Sequence, residues 1–288
     1  MKERVISGVV IAALIVGVGL LGGYPLAVLI MVCSMIGYQE LARATGVLES
    51  GQKVNALTGF TLAVTAVYYA GLMILQTRWG TVPSQLIFSS DFFTAVIIVA
   101  DFLGIMTIYV LTFPRFRSEQ VMAAFFSFVY APVLMAFVYR SRTLPYGIFV
   151  YALIFVCSSV CDTCALAAGM MFGKHKMAPE LSPKKTIEGA VGGLLGSAVC
   201  SVILAYILRY MYPEADFRIQ FLIIGICGAL ISMIGDLAAS AIKRNHNIKD
   251  YGNLIPVHGG IMDRFDSIIF TAPLIFILGV FLMGMAAL

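Results

Sequence analysis

Four aspartates stand where charge is most costly in this chain. Asp162 lies in "SSVCDTCALAAGMMFGKHK", Asp236 in "SMIGDLAASAIKR", and Asp263 and Asp266 in "GGIMDRFDS". Each is inside, or at the edge of, a long apolar run. A charged side chain at the middle of a membrane helix costs on the order of 2.5–3.5 kcal/mol on insertion scales, so such a residue is paired or functional. Asp263 and Asp266 are three residues apart and share a face if helical. Carboxylates that converge from several helices form a hard-oxygen site, which suits Mg²⁺ completed by substrate phosphates. Two plainer readings stand beside this one. Asp236 could form a structural ion pair with Lys243 one or two turns on, and acids near a helix start complement its dipole.

Basic residues gather in two places. "GKHKMAPELSPKKTIEGAVGG" carries Lys174, Lys176, Lys184 and Lys185 around two prolines and leads into an apolar run. Ser182 or Thr186 could cap the helix that follows, whose free N–H groups could hold an anion. "KRNHNIKDYGNLIPVHGGIMDRFDS", from Lys243 to Ser267, combines Lys243, Arg244, Lys249 and Arg264 with a Gly259–Gly260 pair and the last two aspartates. Taken alone, either stretch could be ordinary loop charge. Together, basic groups and a carboxylate cluster suit a polyphosphate substrate. The same groups would attract an anionic lipid headgroup. Both a nucleotidyl transfer and a phosphatase satisfy these observations.

The elements that must position these residues are membrane spans. The 288 residues are 60% hydrophobic and 12% charged, with mean hydropathy +0.96 and a net charge of +4. Soluble domains carry about 25% charged residues. The composition therefore implies an all-α integral membrane protein, and no nucleic-acid partner is expected. A span needs about 20 mainly apolar residues. Nine runs qualify, predicting a polytopic bundle of about nine transmembrane helices: Val5–Leu21, Pro25–Leu41, Ala56–Leu75, Phe92–Phe113, Val121–Tyr139, Tyr146–Met171, Ile187–Met211, Ile219–Ile242 and Ser267–Leu288. The second is the least regular, because it ends in Gln39 and Glu40. Continuous rather than alternating apolar runs speak against strands. The run after "MKER" reads as a first span rather than a cleaved leader. Residues 1–140 would hold about five N-terminal spans, and 141–288 the catalytic helices and their polar loops.

Nine spans put 14 of the 19 lysines and arginines on the side of the N-terminus and both basic stretches, against Arg78, Arg140, Arg142, Arg209 and Arg218 opposite. That asymmetry assigns the first side to the cytoplasm. Six cysteines all fall inside apolar runs, and Cys157, Cys161 and Cys164 share one helix face. Without the companion spacing of a metal site they read as small packing residues. "EGAVGGLLGSAVCS" spaces small residues for close helix approach. A transporter with a buried cation site is the alternative of a different class. It would put polar groups near the midplane, whereas here they collect toward one face.

One stretch is more specific. "SAIKRNHNIKDYGNLIPVHGGIMDRFD", Ser240 to Asp266, resembles the signature of the phosphatidate cytidylyltransferases (CDP-diacylglycerol synthases). "LSPKKTIEGAVGG", "GDLAAS" and "DTCALAAGMMFGKHK" are similar to that family as well. The resemblance runs from about Ser158 to Ser267, and the N-terminal half agrees only in hydrophobic layout. Leu166 stands where the family often has tyrosine, Ala239 where it often has glutamate, and Val257 where a glycine is common before the histidine.

The resemblance implies the reaction of CTP with phosphatidate to give CDP-diacylglycerol and pyrophosphate, with Mg²⁺ and room for a second cation. CTP, phosphatidate and membrane lipid are the implied partners, and a homodimer is in keeping with the family and the small-residue helix faces. Asp236, Asp263 and Asp266 would ligate metal, with Asp162 beside them or on a second ion. Lys184, Lys185, Lys243 and Arg244 would bind phosphates, with Ser182 and Thr186 as hydroxyl donors and Lys249 and Arg264 assisting. His258 would touch phosphate or hold the Gly259–Gly260 turn. A lipid kinase on a similar site is the competing enzyme reading, and it would release a nucleoside diphosphate instead of pyrophosphate.

Overall fold

A computed structural model describes residues 14–49, 51–77, 85–252, 254 and 259–284. Inside hydrocarbon every backbone N–H must find its partner within the segment, so long apolar runs become helices. Among the described residues eight helical stretches are long and apolar enough to cross a bilayer. The first three are α1 (Gly23–Ala44), α2 (Ala56–Thr77) and α3 (Gln85–Leu111). The fourth joins α4 (Ser118–Phe128) to α5 (Leu134–Arg142), and the fifth joins α6 (Gly147–Phe155) to α7 (Cys161–Phe172). The last three are α8 (Ile187–Met211), α9 (Arg218–Asn245) and α10 (Met262–Leu282). The chain is an all-α, multi-pass membrane protein.

These eight correspond to the last eight expected spans. Of the first, residues 5–13 lie outside the described residues, and 14–21 are helical. Two boundaries differ in ways that matter. The final helix starts at Met262 rather than Ser267, which brings Asp263 and Asp266 into its first two turns. The preceding helix runs on to Asn245 and takes in Lys243 and Arg244. Glu40, within the expected second span, is buried in α1. Against the expectation of no strands, the first basic loop folds into a hairpin of β1 (Lys176–Ala178) and antiparallel β2 (Ser182–Thr186). This pairing sits in the polar loop, where hydropathy carries no strand signal.

The helices divide into two compact units. One comprises Met1–Tyr139, His246–Arg264 and Ala287–Leu288. Asn55 begins α2 with a reciprocal cap, its Oδ1 accepting from Thr58 N and its own N–H donating to Thr58 Oγ1, each at 2.9 Å. This answers donors that a helix start leaves open. The α4–α5 span passes through a π-helical turn, Val129–Val133, containing Pro132. Proline has no N–H to donate and crowds the preceding turn, and a wider turn accommodates both. Tyr69 Oη donates to Pro132 O at 3.1 Å and lies 2.6 Å from Ser34 Oγ, which ties α1 and α2 to that turn. Asp101 on α3 is fully buried beside Thr61 and Tyr38. Among the described residues neither of its oxygens has a hydrogen-bond partner.

The other unit comprises Arg140–Asn245 and Phe265–Ala286. Glycines set its packing. A Cβ at Gly193 would stand 2.8 Å from Cys161 O and 3.0 Å from Ala165 Cβ, and one at Gly189 would stand 2.7 Å from Ala165 O. So α8 lies on α7 almost backbone to backbone, as small residues permit in membranes. A Cβ at Gly225 of α9 would stand 2.8 Å from Ser201 Cβ of α8, and one at Gly235 would stand 2.9 Å from Asp266 O of α10. Cys157 and Cys161 are buried and fill the space against Gly228 and Gly193, as packing thiols do. Between α8 and α9, Asp216 accepts from Arg218 Nε at 2.8 Å and pairs with Arg209. The Arg218 hydrogen bonds, and then the Arg209 charge, hold its carboxyl below the usual carboxylate range.

Replacement of Gly193 by Val is expected to force α7 and α8 apart and cost about 1–3 kcal/mol, as overpacking does. The measurement is the thermal unfolding midpoint in detergent. Gly17→Ala, where an added methyl meets nothing within 4 Å, is expected to leave that midpoint unchanged or raise it.

Candidate active site

The glycine contacts bring the ends of α7, α8 and α9 around a cavity of about 440 Å³. Asp162 enters it from α7, Lys184, Lys185 and Thr186 from β2, and Asp236 from α9. Leu166, Met170, Met177 and Met233 supply its apolar lining, Leu166 one turn from Asp162 and Met233 one turn from Asp236. Leu166 and Met170 are also exposed on the outer surface of α7, where lipid would lie.

The hairpin fixes the lysines. Thr186 caps α8 as expected, its Oγ1 accepting from Gly189 N at 3.1 Å. Ser182 pairs with Ala178, and Thr186 with Lys176. Glu188, in the first turn of α8, holds the entry to the hairpin. It accepts from Lys174 N at 3.1 Å and His175 N at 3.2 Å, and its Oε1 lies 2.7 Å from His175 Nδ1. The sequence reading passed over Glu188. Its signal was an acid at a helix start, where carboxylates satisfy free N–H groups.

Lys185 Nζ forms an ion pair with Asp236 Oδ2, both side chains being about one-quarter exposed at 25%. Asp236 thus takes a partner from β2. Asp162 feels the charges of Lys185 and Asp236. Asp266, on α10, feels those of Asp236, Lys243 and Asp162, and its Oδ1 accepts from Ser267 N at 2.8 Å. Three carboxylates therefore act on one another, with Lys184, Lys185 and Lys243 among them. Among the described residues no three such side chains form a ready-made metal cage. Mg²⁺ does not need one, since it binds through one or two carboxylates plus waters and substrate phosphates. The all-oxygen donors fit that ion.

The other sequence-assigned residues belong to the signature loop and the start of α10. Asp263 Oδ2 accepts from Tyr251 N at 2.8 Å and Gly260 N at 3.0 Å, so its carboxylate is oriented by the loop backbone. Gly259 has φ 83°, a left-handed conformation that favours glycine, and a Cβ there would stand 2.8 Å from Asp263 Oδ2. Arg244, Lys249 and Arg264 are exposed. His258 lies outside the described residues.

Cavity, lysines and carboxylates together form a site suited to phosphate groups in a membrane protein, and sequence comparison identifies its class. The chain belongs to the cytidylyltransferase family, whose model matches residues 2–282. It is an enzyme, a nucleotidyltransferase. Among its relatives is the phosphatidate cytidylyltransferase of Bacillus subtilis (strain 168), 31% identical over 283 residues, covering 96% of this chain and 97% of the relative. The phosphatidate cytidylyltransferase of Staphylococcus aureus (strain COL) is 30% identical over 281 residues, covering 96% and 98%. That of Staphylococcus haemolyticus (strain JCSC1435) is 28% identical over the same length.

Lys185→Gln and Asp236→Asn are each expected to lower the thermal midpoint, because each strands the other's charge. The double variant is expected to lose less than the sum of the two, by on the order of 0.5–3 kcal/mol. Thermal unfolding of all four proteins of the cycle measures the coupling.

Proposed function

We propose that this enzyme converts CTP and phosphatidate to CDP-diacylglycerol and pyrophosphate at the cytoplasmic face of the cell membrane, with Mg²⁺. The observation that carries the reading is the cavity itself, whose lining combines lysine and carboxylate with methionine and leucine. A phosphorylated lipid and a nucleoside triphosphate need both kinds of surface in one place. The printed names of the relatives support the same substrates. The placement of 14 of 19 basic residues on one side supports the cytoplasmic orientation.

In this reaction a phosphate oxygen of phosphatidate attacks the α-phosphorus of CTP. The new P–O bond forms as the bond to the β-phosphate bridging oxygen breaks, and its electron pair leaves with pyrophosphate. The nucleophile is already an anion, so no side chain has to remove a proton. The difficulty is the approach of two polyanions, which positioned cations relieve. Asp236 and Asp266, with Asp162 beside them, would hold Mg²⁺, and Asp263 is the further carboxylate that the sequence assigns. Bound there, the ion would neutralise and orient the triphosphate. Lys184, Lys185 and Lys243 bind and align phosphate oxygens. Lys185 has to give up Asp236 to do so. Arg244, Lys249 and Arg264 are the further cations that the sequence assigns. The methionines take the start of the acyl chains, and thioether side chains adapt readily to irregular apolar surfaces.

The test uses purified protein in detergent with phosphatidate and radiolabelled CTP. Label is expected in chloroform-extractable lipid, with an equal amount of pyrophosphate. Transfer of γ-label to lipid with release of CDP would instead make the protein a lipid kinase. Lys184→Ala is expected to lower kcat/KM for CTP about 10- to 100-fold, the worth of a hydrogen bond to a charged group. Asp236→Asn is expected to lose nearly all turnover across a Mg²⁺ titration. Wild-type turnover in that variant would refute the metal assignment.

A further inference from the structure

Glu40 is a carboxylate near the C-terminal end of a membrane helix, 3% exposed, and none of the chemistry above uses it. Its two oxygens divide two backbone donors between them. Oε1 accepts from Ile261 N at 3.1 Å, and Oε2 accepts from Met262 N at 2.9 Å. These are open N–H groups at the start of α10, the helix that carries Asp263, Arg264 and Asp266. Gly252 and Gly260 lie close against the same carboxylate. A Cβ at Gly252 would stand 2.8 Å from Glu40 Cδ and 3.1 Å from Cγ, and one at Gly260 would stand 2.5 Å from Cδ. One turn earlier on α1, Gly37 receives Met262, whose Sδ would be 3.0 Å from an added Cβ.

A helix start normally takes its cap from a neighbouring Ser, Thr, Asp or Asn. Here the cap comes from more than 200 residues away and requires burial of a carboxylate, which is costly unless its hydrogen bonds are made. Asp263 Oδ2 takes two further N–H groups of the loop, those of Tyr251 and Gly260. Two carboxylates thus receive four backbone donors within residues 251–262. One of the two, Asp263, is a sequence-assigned site residue, and the other lies in the N-terminal half of the chain.

We propose that Glu40 is a positioning residue for cytidylyl transfer, setting the backbone at residues 251–252 and 259–262 and, through it, the carboxylate of Asp263. The proposal rests on the reaction put forward above. Glutamine at position 40 keeps the shape and offers one acceptor oxygen, but turns an N–H₂ toward the second backbone donor. The loop then loses one of its two anchors. Displacement of reacting groups by about 1 Å can cost on the order of 100-fold in rate.

The experiment compares wild type, Glu40→Gln, Gly252→Ala and Glu40→Ala/Gly252→Ala with Glu40→Ala, in detergent. Three readouts are taken: kcat and KM for CTP, thermal midpoint, and hydrogen exchange of peptides spanning Ile261 and Met262. Glu40→Gln is expected to lower kcat about 100-fold with KM for CTP within about threefold. Its thermal midpoint is expected to stay within a few degrees, with faster exchange at residues 261–262. Gly252→Ala is expected to act in the same way by pushing Glu40 aside, and to add no loss in the Glu40→Ala background, where the space is open. Wild-type kcat in Glu40→Gln, unchanged exchange, or a rate loss equal to the loss of folded protein would overturn the proposal. So would full additivity of Gly252→Ala with Glu40→Ala, and that arm decides the matter if Glu40→Gln does not fold. If the wild type forms no cytidine lipid, the reaction is refuted, while exchange at Ile261 and Met262 still judges the anchor.

Discussion

Where α8 crosses α7, the backbone of one helix lies against the backbone of the other. Gly189 faces Ala165 O, Gly193 faces Cys161 O, and neither leaves room for a Cβ. The same condition recurs at Gly225 between α9 and α8 and at Gly235 between α9 and α10. In a bilayer the lipid tails are as apolar as leucine, so helices gain by close packing and not by hiding from water. With larger residues at these crossings the helices would stand further apart. Lys185 could then not reach Asp236, and Asp162, Asp236 and Asp266 would no longer act on one another. The electrostatics of the site depend on what the glycines leave out.

That electrostatic arrangement mixes both signs of charge in one place. Lys185 pairs with Asp236, Lys243 stands near Asp266, Lys184 lines the same cavity, and Asp162 feels the charge of Lys185. Carboxylates are suited to an incoming cation, and lysines already in place are suited to the phosphates that accompany it. The donor set is assembled from four separate elements, so its composition follows from helix packing rather than from one contiguous motif.

Much of this was legible in the sequence. Apolar run length located eight spans, since a bilayer demands long uninterrupted helices. The four aspartates stood out because charge is rare there, and Thr186 could be read as a cap from its place before an apolar run. Other features were hidden for physical reasons. The β1–β2 hairpin is held by backbone pairing in a polar loop, which leaves no hydropathy period to detect. Helix α10 starts five residues early because Glu40 and Asp263 supply hydrogen bonds to its entry, and Glu40 is far away in sequence. Glu40 itself looked like the frayed end of an apolar run, when it is a buried acceptor with two donors. Asp101 was overlooked inside a run so apolar that a single charge did not break it.

The glycine seam also divides the first turns of α8 by how they tolerate change. Ile187, Val191 and Leu195 recur every fourth residue and form an exposed strip there. Gly189 and Gly193 lie on the strip that meets α7. A hydropathy scale scores a leucine the same on either strip. On the first it exchanges one oily surface for another, and on the second it drives a wedge between the helices that hold the active site. Mutational tolerance there should therefore alternate with the turn of the helix, although the apolar character hardly varies.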